Sequence, residues 1–412
     1  MRKLLHNIGK IWGMETSDKS FYAGVEMSKV QSLSNAWILI EDGKILDFGE
    51  GAIPESDEQI DIEGKELLPG FVDSHTHAVF ATERSDEFVL RIKGAGYEEI
   101  AEAGGGILNS AQKLRDMPES LLLKKARENV KRLIAHGTTT LEIKSGYGLD
   151  LESELKMLRV IRQLKADFPI TIKATFLGAH AVPLEFKGDR KGYVDFVIQT
   201  MLPAVIAESL ADHIDVFCDR GFFSMDDTAR ILDAGAAAGL PGKIHANELG
   251  YTGGVQVAVE KMAWSADHLE YCGQEEIEAL RGGVTMPVGL PGTSYFLGIP
   301  YAAGRNIIDA GLPFCLASDF NPGSSPLANL QMVWSLACSQ MKLLPEEAFH
   351  AITLNAARAL RLEKECGSIS IGKRADFVIS SLENSIRNIP YYFGQNHLYR
   401  LFIGGEEWNL NP

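Results

Sequence analysis

The strongest constraint on the fold is an alternation of short apolar runs with longer amphipathic segments. Eight short apolar runs occur, at 71–72, 138–144, 170–176, 214–218, 242–246, 265–269, 284–288 and 314–319. Segments with apolar residues at three- and four-residue spacing, a pattern typical of helices, lie between them at 120–135, 151–166, 193–209 and 226–238. Strands that alternate with helices form parallel sheets, and eight such units make a (β/α)8 barrel. The sequence therefore predicts an α/β fold with a TIM-like (β/α)8 barrel over residues 69–363.

The two ends of the chain have a different pattern. Residues 36–40 and 45–48 are apolar and flank a turn with Asp42-Gly43, which indicates a β-hairpin. Further strand candidates lie near the C-terminus, at 375–379 and 398–403. We therefore expect residues 1–68 and 364–412 to form a small β-sandwich domain together, beside the barrel domain.

Composition restricts the possible partners and the compartment. Forty basic and 55 acidic residues give a net charge of −15, which argues against nucleic acid or an anionic membrane surface as a partner. A small anionic substrate is still possible, because its capture needs only one local cation. Five scattered cysteines, the absence of a signal sequence and the absence of an apolar run of ~18 residues predict a cytoplasmic protein without disulfides.

Side chains that bind metals or protons follow several of the predicted strands. His75 and His77 come after the first strand, and residues two apart on an extended chain point to the same side. Alone, such a pair usually lies on a solvated face. In a (β/α)8 barrel, however, the active site lies at the C-terminal ends of the strands. Five more such groups follow other strands, namely His180, His245, Glu248, His268 and Asp319. The pattern predicts a metal centre at this end, because imidazole and carboxylate groups are common ligands.

The remaining histidines do not fit the strand-end pattern and are expected to be structural or exposed. They are His6, His136, His213, His350 and His397.

The ordered set of His75, His77, His245, His268 and Asp319 resembles the amidohydrolase superfamily. Five stretches are also similar to the imidazolonepropionase family of histidine degradation, namely 104–107, 142–149, 179–183, 265–270 and 319–324. The resemblance extends over nearly the whole chain. It departs at Asn247, where many relatives have an acidic residue, and we expect no catalytic role for this position.

This resemblance implies an activity and a set of site residues. The implied reaction is metal-dependent hydrolysis of 4-imidazolone-5-propanoate to N-formimidoyl-L-glutamate. One Zn²⁺ or Fe ion per subunit would be bound by His75, His77, His245 and Asp319. Seven positions match residues that contact substrate or product, namely Arg84, Tyr147, His180, Glu248, Asn321, Gly323 and Ser324. A homodimer is expected by analogy.

A single metal ion is expected because the fourth strand does not end in lysine. Some amidohydrolases hold two ions bridged by a carboxylated lysine at that point, where this chain has Phe217-Cys218-Asp219-Arg220. Lys144 follows the second strand instead, and we expect it to form a buried ion pair, with Glu142 or a site carboxylate.

Three residues are candidates for proton transfer, and the sequence leaves open which of them is the general base. Glu248 is suited to carry a proton from water to the leaving nitrogen. His268 could donate a hydrogen bond to the attacking water or the developing oxyanion. His180 could polarise or bind the ring carbonyl.

Two other functions compete with this interpretation. One is another amidohydrolase, such as a nucleobase or triazine deaminase, and the other is a barrel protein without enzymatic activity. Arg84 and the loop 321–324 argue against a deaminase, which needs no carboxylate anchor. Glycines at 94–96 and 104–106 lack the strand–loop–helix context of a nucleotide site and predict a mobile loop over the site.

Overall fold

The computed structural model describes residues 1–95, 99 and 105–410, and the predicted glycine loop lies largely outside this range. Five strands precede the barrel: β1 (Arg2–Trp12), β2 (Ser32–Glu41), β3 (Lys44–Glu50), β4 (Glu58–Asp61) and β5 (Glu66–Pro69). The barrel strands are β6 (Phe71–Asp73), β7 (Thr138–Lys144), β8 (Thr171–Ala179), β9 (His213–Cys218), β10 (Gly242–Ala246), β11 (Ser265–His268), β12 (Met286–Gly289) and β13 (Cys315–Leu316). Three strands follow it: β14 (Phe377–Ser380), β15 (Leu398–Ile403) and β16 (Glu406–Trp408).

The helices lie mostly between the barrel strands. In the first half of the described chain they are α1 (Ser85–Ile92), α2 (Gly106–Asp116), α3 (Glu119–Ile134), α4 (Leu151–Asp167), α5 (Arg190–Phe196), α6 (Leu202–Ala207) and α7 (Met225–Ala237). They continue with α8 (Gly254–Glu260), α9 (Gln274–Arg281), α10 (Pro291–Leu297), α11 (Gly304–Asp309), α12 (Leu330–Gln340), α13 (Pro345–Ala351), α14 (Leu354–Ala359) and α15 (Ser385–Tyr391). A π-helical turn, Val197–Met201, joins α5 to α6. Within the described ranges, no helix combines the length and the apolar character that crossing a membrane requires.

The eight barrel strands pair in chain order and run parallel, from β6 to β13. The first and last strands meet just beyond their ends, where Thr76 forms a parallel bridge with Phe320. There the backbone N–H of Asp319 donates to the carbonyl of His75 at 3.0 Å, and the N–H of His77 donates to the carbonyl of Phe320 at 2.9 Å. This confirms the predicted barrel fold, and it brings three predicted metal ligands to the point where the barrel closes.

Both ends of the chain contribute to a second, mixed sheet with the order β16-β15-β14-β5-β1-β2-β3, in which β4 pairs with β1. The predicted hairpin is formed by β2 and β3. Asp42 and Gly43 both have positive φ, 51° and 75°, as the favoured two-residue hairpin turn requires. β5 is antiparallel to β14, so the N-terminal and C-terminal segments share one sheet.

A single residue, Gly70, separates β5 in the mixed sheet from β6 in the barrel. A Cβ at this position would lie 2.1 Å from Oγ1 of Thr139, so only glycine fits this crossing. The division of the chain into 1–68 plus 364–412 and 69–363 stays a prediction.

Candidate active site

Four predicted metal ligands converge at the end of the barrel where the strands have their C-termini. Nε2 of His245 lies 3.4 Å from Nε2 of His77. Oδ1 of Asp319 lies 3.5 Å from Nε2 of His75 and 3.6 Å from Nε2 of His77. All four side chains are buried. Three imidazole nitrogens and one carboxylate oxygen therefore face a common point.

These residues fit a divalent metal ion. Burial lowers the pKa values of His75 and His77 well below the ordinary value for histidine, so both rings are neutral, which is the form that binds metals. Nε2 of His75 is buried and has no hydrogen-bond partner among the described residues. A buried nitrogen without a partner is unfavourable, and a bound cation would satisfy it. His75, His77 and His245 also have the mutual spacing of a metal-binding group.

The ligands are supported from behind by residues that the sequence analysis missed. Nδ1 of His75 lies 2.6 Å from Oδ2 of Asp267, and Nδ1 of His245 lies 3.1 Å from Oδ2 of Asp215. Thr293, in α10, donates a hydrogen bond of 2.6 Å to Oδ2 of Asp319. These contacts use the ligand atoms that do not face the common point. A carboxylate within a buried strand is the signal that could have identified Asp215 and Asp267.

A cavity of about 560 Å³ opens above the ligands. The other eight predicted site residues all line it, namely Arg84, Tyr147, His180, Glu248, His268, Asn321, Gly323 and Ser324. Two arginines without a predicted role, Arg91 and Arg220, line it as well. Arg220 follows β9, so the strand-end rule could have found it. The cavity is therefore rich in cations, although the protein is acidic.

Glu248 and His268 face each other in this cavity, with Oε2 and Nε2 3.7 Å apart. Burial raises the pKa of the Glu248 carboxyl to about 7, and the adjacent His268 partly offsets this effect. Burial favours a neutral His268, but the carboxylates of Glu248 and Glu270 outweigh it and raise the pKa of His268 to about 10. At neutral pH the pair can therefore hold a proton on His268 and exchange one at Glu248.

His180 differs from the expectation that it polarises a carbonyl. Burial lowers its pKa to about 3, so the ring is neutral. Its Nδ1 lies 3.0 Å from the carbonyl oxygen of Gly146. A carbonyl only accepts hydrogen bonds, so Nδ1 carries the proton and Nε2 does not. The unprotonated Nε2 suits an N–H donor of a ligand rather than a carbonyl oxygen.

Arg84 immediately precedes α1 at one side of the cavity. Its Nε donates to Oγ of Ser110 at 2.8 Å, and its guanidinium carbon lies 5.8 Å from the ring centroid of Tyr147. Nη2 is buried and has no partner within the described part of the chain. A fixed guanidinium with an unused N–H group can bind an anion.

The loop 321–324 passes close to this guanidinium. A Cβ on Gly323 would lie 2.5 Å from Nη1 of Arg84, so glycine permits the close approach. Oδ1 of Asn321 accepts hydrogen bonds from the backbone N–H groups of Gly323 and Ser324 at 2.7 and 2.8 Å. The amide of Asn321 therefore holds the loop in shape.

Comparison with known proteins agrees with this geometry. The model of the amidohydrolase family matches residues 67–407. The chain is 47% identical over 409 residues to the imidazolonepropionase of Christiangramia forsetii, covering 98% of this chain and 100% of that protein. The corresponding enzyme of Flavobacterium johnsoniae is 46% identical with the same coverage. Guanine deaminase of E. coli has a similar fold, with a TM-score of 0.76 over 99% of each chain but 16% identity. The chain therefore belongs to the amidohydrolase family and, within it, to the imidazolonepropionases.

Proposed function

We propose that this protein hydrolyses 4-imidazolone-5-propanoate to N-formimidoyl-L-glutamate, a step of histidine degradation. The observation that carries the proposal is the combination of two features in one cavity. Three imidazole nitrogens and a carboxylate oxygen converge at its base, and a buried guanidinium with an unpaired Nη2 lies in its wall. The first feature suits activation of water, and the second suits a substrate that carries a carboxylate.

The proposed metal ligands are His75, His77, His245 and Asp319, with one ion of Zn²⁺ or Fe per subunit. When bound, such an ion lowers the pKa of a coordinated water to ~7 and polarises a carbonyl oxygen. Imidazole nitrogens and a carboxylate oxygen are donors that suit either Zn²⁺ or Fe.

The reaction requires one proton to move from the water to the leaving nitrogen. The water oxygen forms a bond to the ring carbonyl carbon, and the C–N bond of the cyclic amide breaks. We assign this proton transfer to Glu248, because burial brings its pKa to about 7, where it can both accept and release a proton. His268 lies 3.7 Å from Glu248 and keeps positive charge beside the oxygen that becomes negative.

The remaining residues would hold the substrate. We assign binding of the propanoate to Arg84, whose guanidinium can donate charge-assisted hydrogen bonds. We assign contact with a ring N–H to His180, whose unprotonated Nε2 can accept a hydrogen bond. Tyr147 lies against both of them, 5.5 Å from the His180 ring and 5.8 Å from the Arg84 guanidinium, and closes that side of the cavity. The loop of Asn321, Gly323 and Ser324 borders Arg84 and is assigned to substrate or product contact.

We further propose a homodimer in the cytoplasm that acts on this small molecule without a nucleic-acid or membrane partner. Analytical ultracentrifugation of the purified protein tests the oligomeric state. A sedimenting mass of a single chain would contradict the dimer.

The experiment that tests the proposed reaction uses freshly prepared 4-imidazolone-5-propanoate and the metal-loaded protein. Loss of the ultraviolet absorbance of the substrate is followed together with formation of N-formimidoyl-L-glutamate, and metal content is measured on the same sample. We expect turnover that stops when metal is removed and returns when it is restored. Guanine serves as the control substrate. A folded, metal-loaded protein that leaves the imidazolone intact, or that turns over guanine equally well, would contradict the proposal.

A further inference from the structure

A cluster of buried charges lies inside the barrel, beneath the proposed metal ligands. It consists of Glu142 and Lys144 in β7, Asp215 in β9, Lys243 in β10 and Asp267 in β11, and all five side chains are fully buried. Burial of charge costs free energy unless the charges are paired. Five buried charges from four barrel strands therefore call for an explanation that the proposed reaction does not give.

The cluster contacts the metal ligands through two carboxylate oxygens. Oδ2 of Asp267 lies at hydrogen-bonding distance from Nδ1 of His75, 2.6 Å. Oδ2 of Asp215 lies 3.1 Å from Nδ1 of His245, which is an ion-pair contact without the angles of a hydrogen bond. The ammonium nitrogen of Lys144 lies 2.7 Å from that oxygen of Asp215 and 3.6 Å from that oxygen of Asp267. Lys144 therefore contacts two carboxylates, and each of these contacts the ring of a different proposed metal ligand.

A carboxylate beside Nδ1 determines which ring nitrogen is free to bind a metal. It keeps the proton on Nδ1, so that Nε2 presents its lone pair and the ring cannot rotate. In this site the Nε2 atoms of His75 and His245 are the ones that face Asp319 and His77. The two carboxylates must therefore stay where they are for the ligand set to keep its shape.

We propose that Lys144 is a positioning residue for the metal centre. Its ammonium group holds Asp215 and Asp267 against His245 and His75, and so keeps both rings in the orientation that binds metal. The inference rests on the metal site assigned in the proposed function.

The position of Lys144 also favours the single metal ion that the sequence leads us to expect. His75, Glu142 and Asp267 have the mutual spacing of a second metal-binding group. Nζ of Lys144, however, lies 3.0 Å from Oε1 of Glu142 and 3.6 Å from Oδ2 of Asp267. The ammonium group supplies the positive charge that a second cation would otherwise provide.

Lys243 provides a matched control from the same cluster. It is equally buried and positively charged, but its nearest carboxylate contacts are longer, at 3.4 Å to Glu142 and 3.9 Å to Asp267. It also donates to the carbonyl of Ser74 at 3.2 Å. If Lys144 acts through the two aspartates, removal of Lys144 should affect the metal site more than removal of Lys243.

The test compares Lys144→Met with Lys243→Met by Zn²⁺ affinity, measured in competition with a chromogenic chelator. We expect Lys144→Met to weaken Zn²⁺ binding by up to roughly tenfold, the lower end of the effect of losing a direct partner of a ligand, because Lys144 acts through two such partners. Lys243→Met should weaken it less. Urea unfolding of the metal-free forms is measured in parallel, because a lysine that serves only the fold would lower stability without changing Zn²⁺ affinity. Unchanged Zn²⁺ affinity in Lys144→Met, or an equal loss in Lys243→Met, overturns the inference.

Asp215→Asn keeps the inference testable if Lys144→Met does not fold. This change keeps the shape of the side chain but removes the negative charge of Asp215, which both Lys144 and His245 contact. We expect a loss of Zn²⁺ affinity of roughly tenfold. Where both variants fold, the losses should add only in part in the double variant, because Lys144 and Asp215 share one contact while Lys144 also contacts Asp267. Full affinity in Asp215→Asn, or fully additive losses, overturns the inference. A wild-type protein that binds neither Zn²⁺ nor Fe would instead contradict the proposed function together with this inference.

Discussion

At the residue scale, the site depends on which nitrogen of each histidine carries a proton. His75 and His245 have carboxylates beside Nδ1, whereas His180 has the Gly146 carbonyl there. In each ring the lone pair of the other nitrogen, Nε2, is free. In His75 and His245 it can bind a metal ion, and in His180 it can accept a hydrogen bond from a bound molecule. The sequence predicts that these residues meet, but it contains nothing about their tautomers.

Replacement of His77 by alanine should abolish metal binding and activity together. Its Nε2 lies 3.4 Å from Nε2 of His245 and 3.6 Å from Oδ1 of Asp319, so its loss removes one of four ligands. We expect about one metal ion per chain in the wild type, as in other sites of this geometry, and little in the variant. Elemental analysis of the purified proteins measures this. His6→Ala, in β1 of the mixed sheet, is the control, and full metal occupancy in His77→Ala would exclude it as a ligand.

Glu248→Gln should keep the metal but lose catalysis. The amide has the same shape as the carboxylic acid but cannot accept and return a proton, so kcat should fall ~10²–10⁴-fold. Steady-state kinetics and metal analysis on one preparation measure both quantities. Glu260→Gln, an exposed change in the helix that follows the same strand, is the control. A nearly normal kcat with metal present would transfer the role to His268 or His180.

Arg84→Ala should weaken binding of the substrate carboxylate. Loss of a hydrogen bond to a charged group costs ~1.5–3 kcal/mol, which corresponds to a rise in KM of roughly ten- to a hundredfold. Arg84→Lys should have a smaller effect, because lysine keeps the charge without the planar pair of donors. Metal content should not change.

The control for Arg84 is Arg132→Ala, which removes an exposed arginine in α3. Kinetics are compared on the intact substrate and on an imidazolone without the carboxylate. If Arg84→Ala weakens both substrates equally, Arg84 does not bind the carboxylate.

At the element scale, the backbone after β7 places His180. Gly146 has a φ of 102°, and a Cβ there would lie 2.9 Å from Nδ1 of His180 and 2.9 Å from the carbonyl oxygen of Leu177. Gly146→Ala should therefore displace His180, and kcat/KM should fall roughly 10- to 100-fold, as when a contact group moves by about 1 Å.

Gly188→Ala is the matched control for Gly146→Ala. Gly188 also has a positive φ, 84°, but a Cβ there would meet no atom within 4 Å. Both variants place a Cβ on a left-handed backbone, which is strained, but only the new Cβ of Gly146→Ala contacts a site residue. Equal kcat/KM values in the two variants would show that contact with His180 is unimportant.

The sequence predicts the strands well where apolar runs are long, and less well where the backbone turns. Runs two and five coincide with β7 and β10. The sixth apolar run, 265–269, corresponds to β11, but the strand ends one residue earlier, at His268, which has a φ of 88°. Of the eighth apolar run, 314–319, only two residues form a strand, β13. Asp319, which follows this strand, has a φ of 51°. The positive φ of His268 coincides with the end of β11, whereas Asp319 lies three residues beyond the end of β13. Side-chain periodicity does not report such backbone conformations.

The strand-end pattern and the family resemblance together identify the proposed ligands and eight further residues of the cavity, but not Arg91, Arg220 or the residues that support the ligands. Strand-end positions identified the four proposed ligands and Glu248, because barrel topology brings strand ends together. Asp215 and Asp267 lie within strands, and their contacts depend on which neighbour faces each side chain. The expected ion pair of Lys144 with Glu142 is present, at 3.0 Å. The contact of Lys144 with Asp215 depends on how the strands are aligned in the barrel, which the sequence does not reveal.

At the scale of the whole molecule, an acidic protein must admit an anionic substrate. The net charge is −15, yet three arginines, Arg84, Arg91 and Arg220, line the cavity. Charges in solution are screened beyond about 8–10 Å, so the local arginines determine the potential that a bound carboxylate experiences. This distribution suits a site that repels large polyanions and accepts one small anion.

Metal binding should stabilise the whole molecule against unfolding. The proposed ligands come from the ends of β6 and β13, where the barrel closes, and from β10 across it. The unfolded chain does not hold these residues together, so an ion that binds only the folded state should add about 2.7 kcal/mol of unfolding free energy at 100 times its Kd.

Calorimetry of the metal-loaded and chelator-treated protein measures this effect. At roughly 2–4 °C per kcal/mol for a large domain, removal of the metal should lower Tm by several degrees, and adding it back should restore Tm. His77→Ala, which lacks one ligand, should unfold at a temperature that metal and chelator do not change. An equal metal-dependent rise of Tm in His77→Ala would mean that the stabilising ion binds elsewhere. The four proposed ligands would then not form the site.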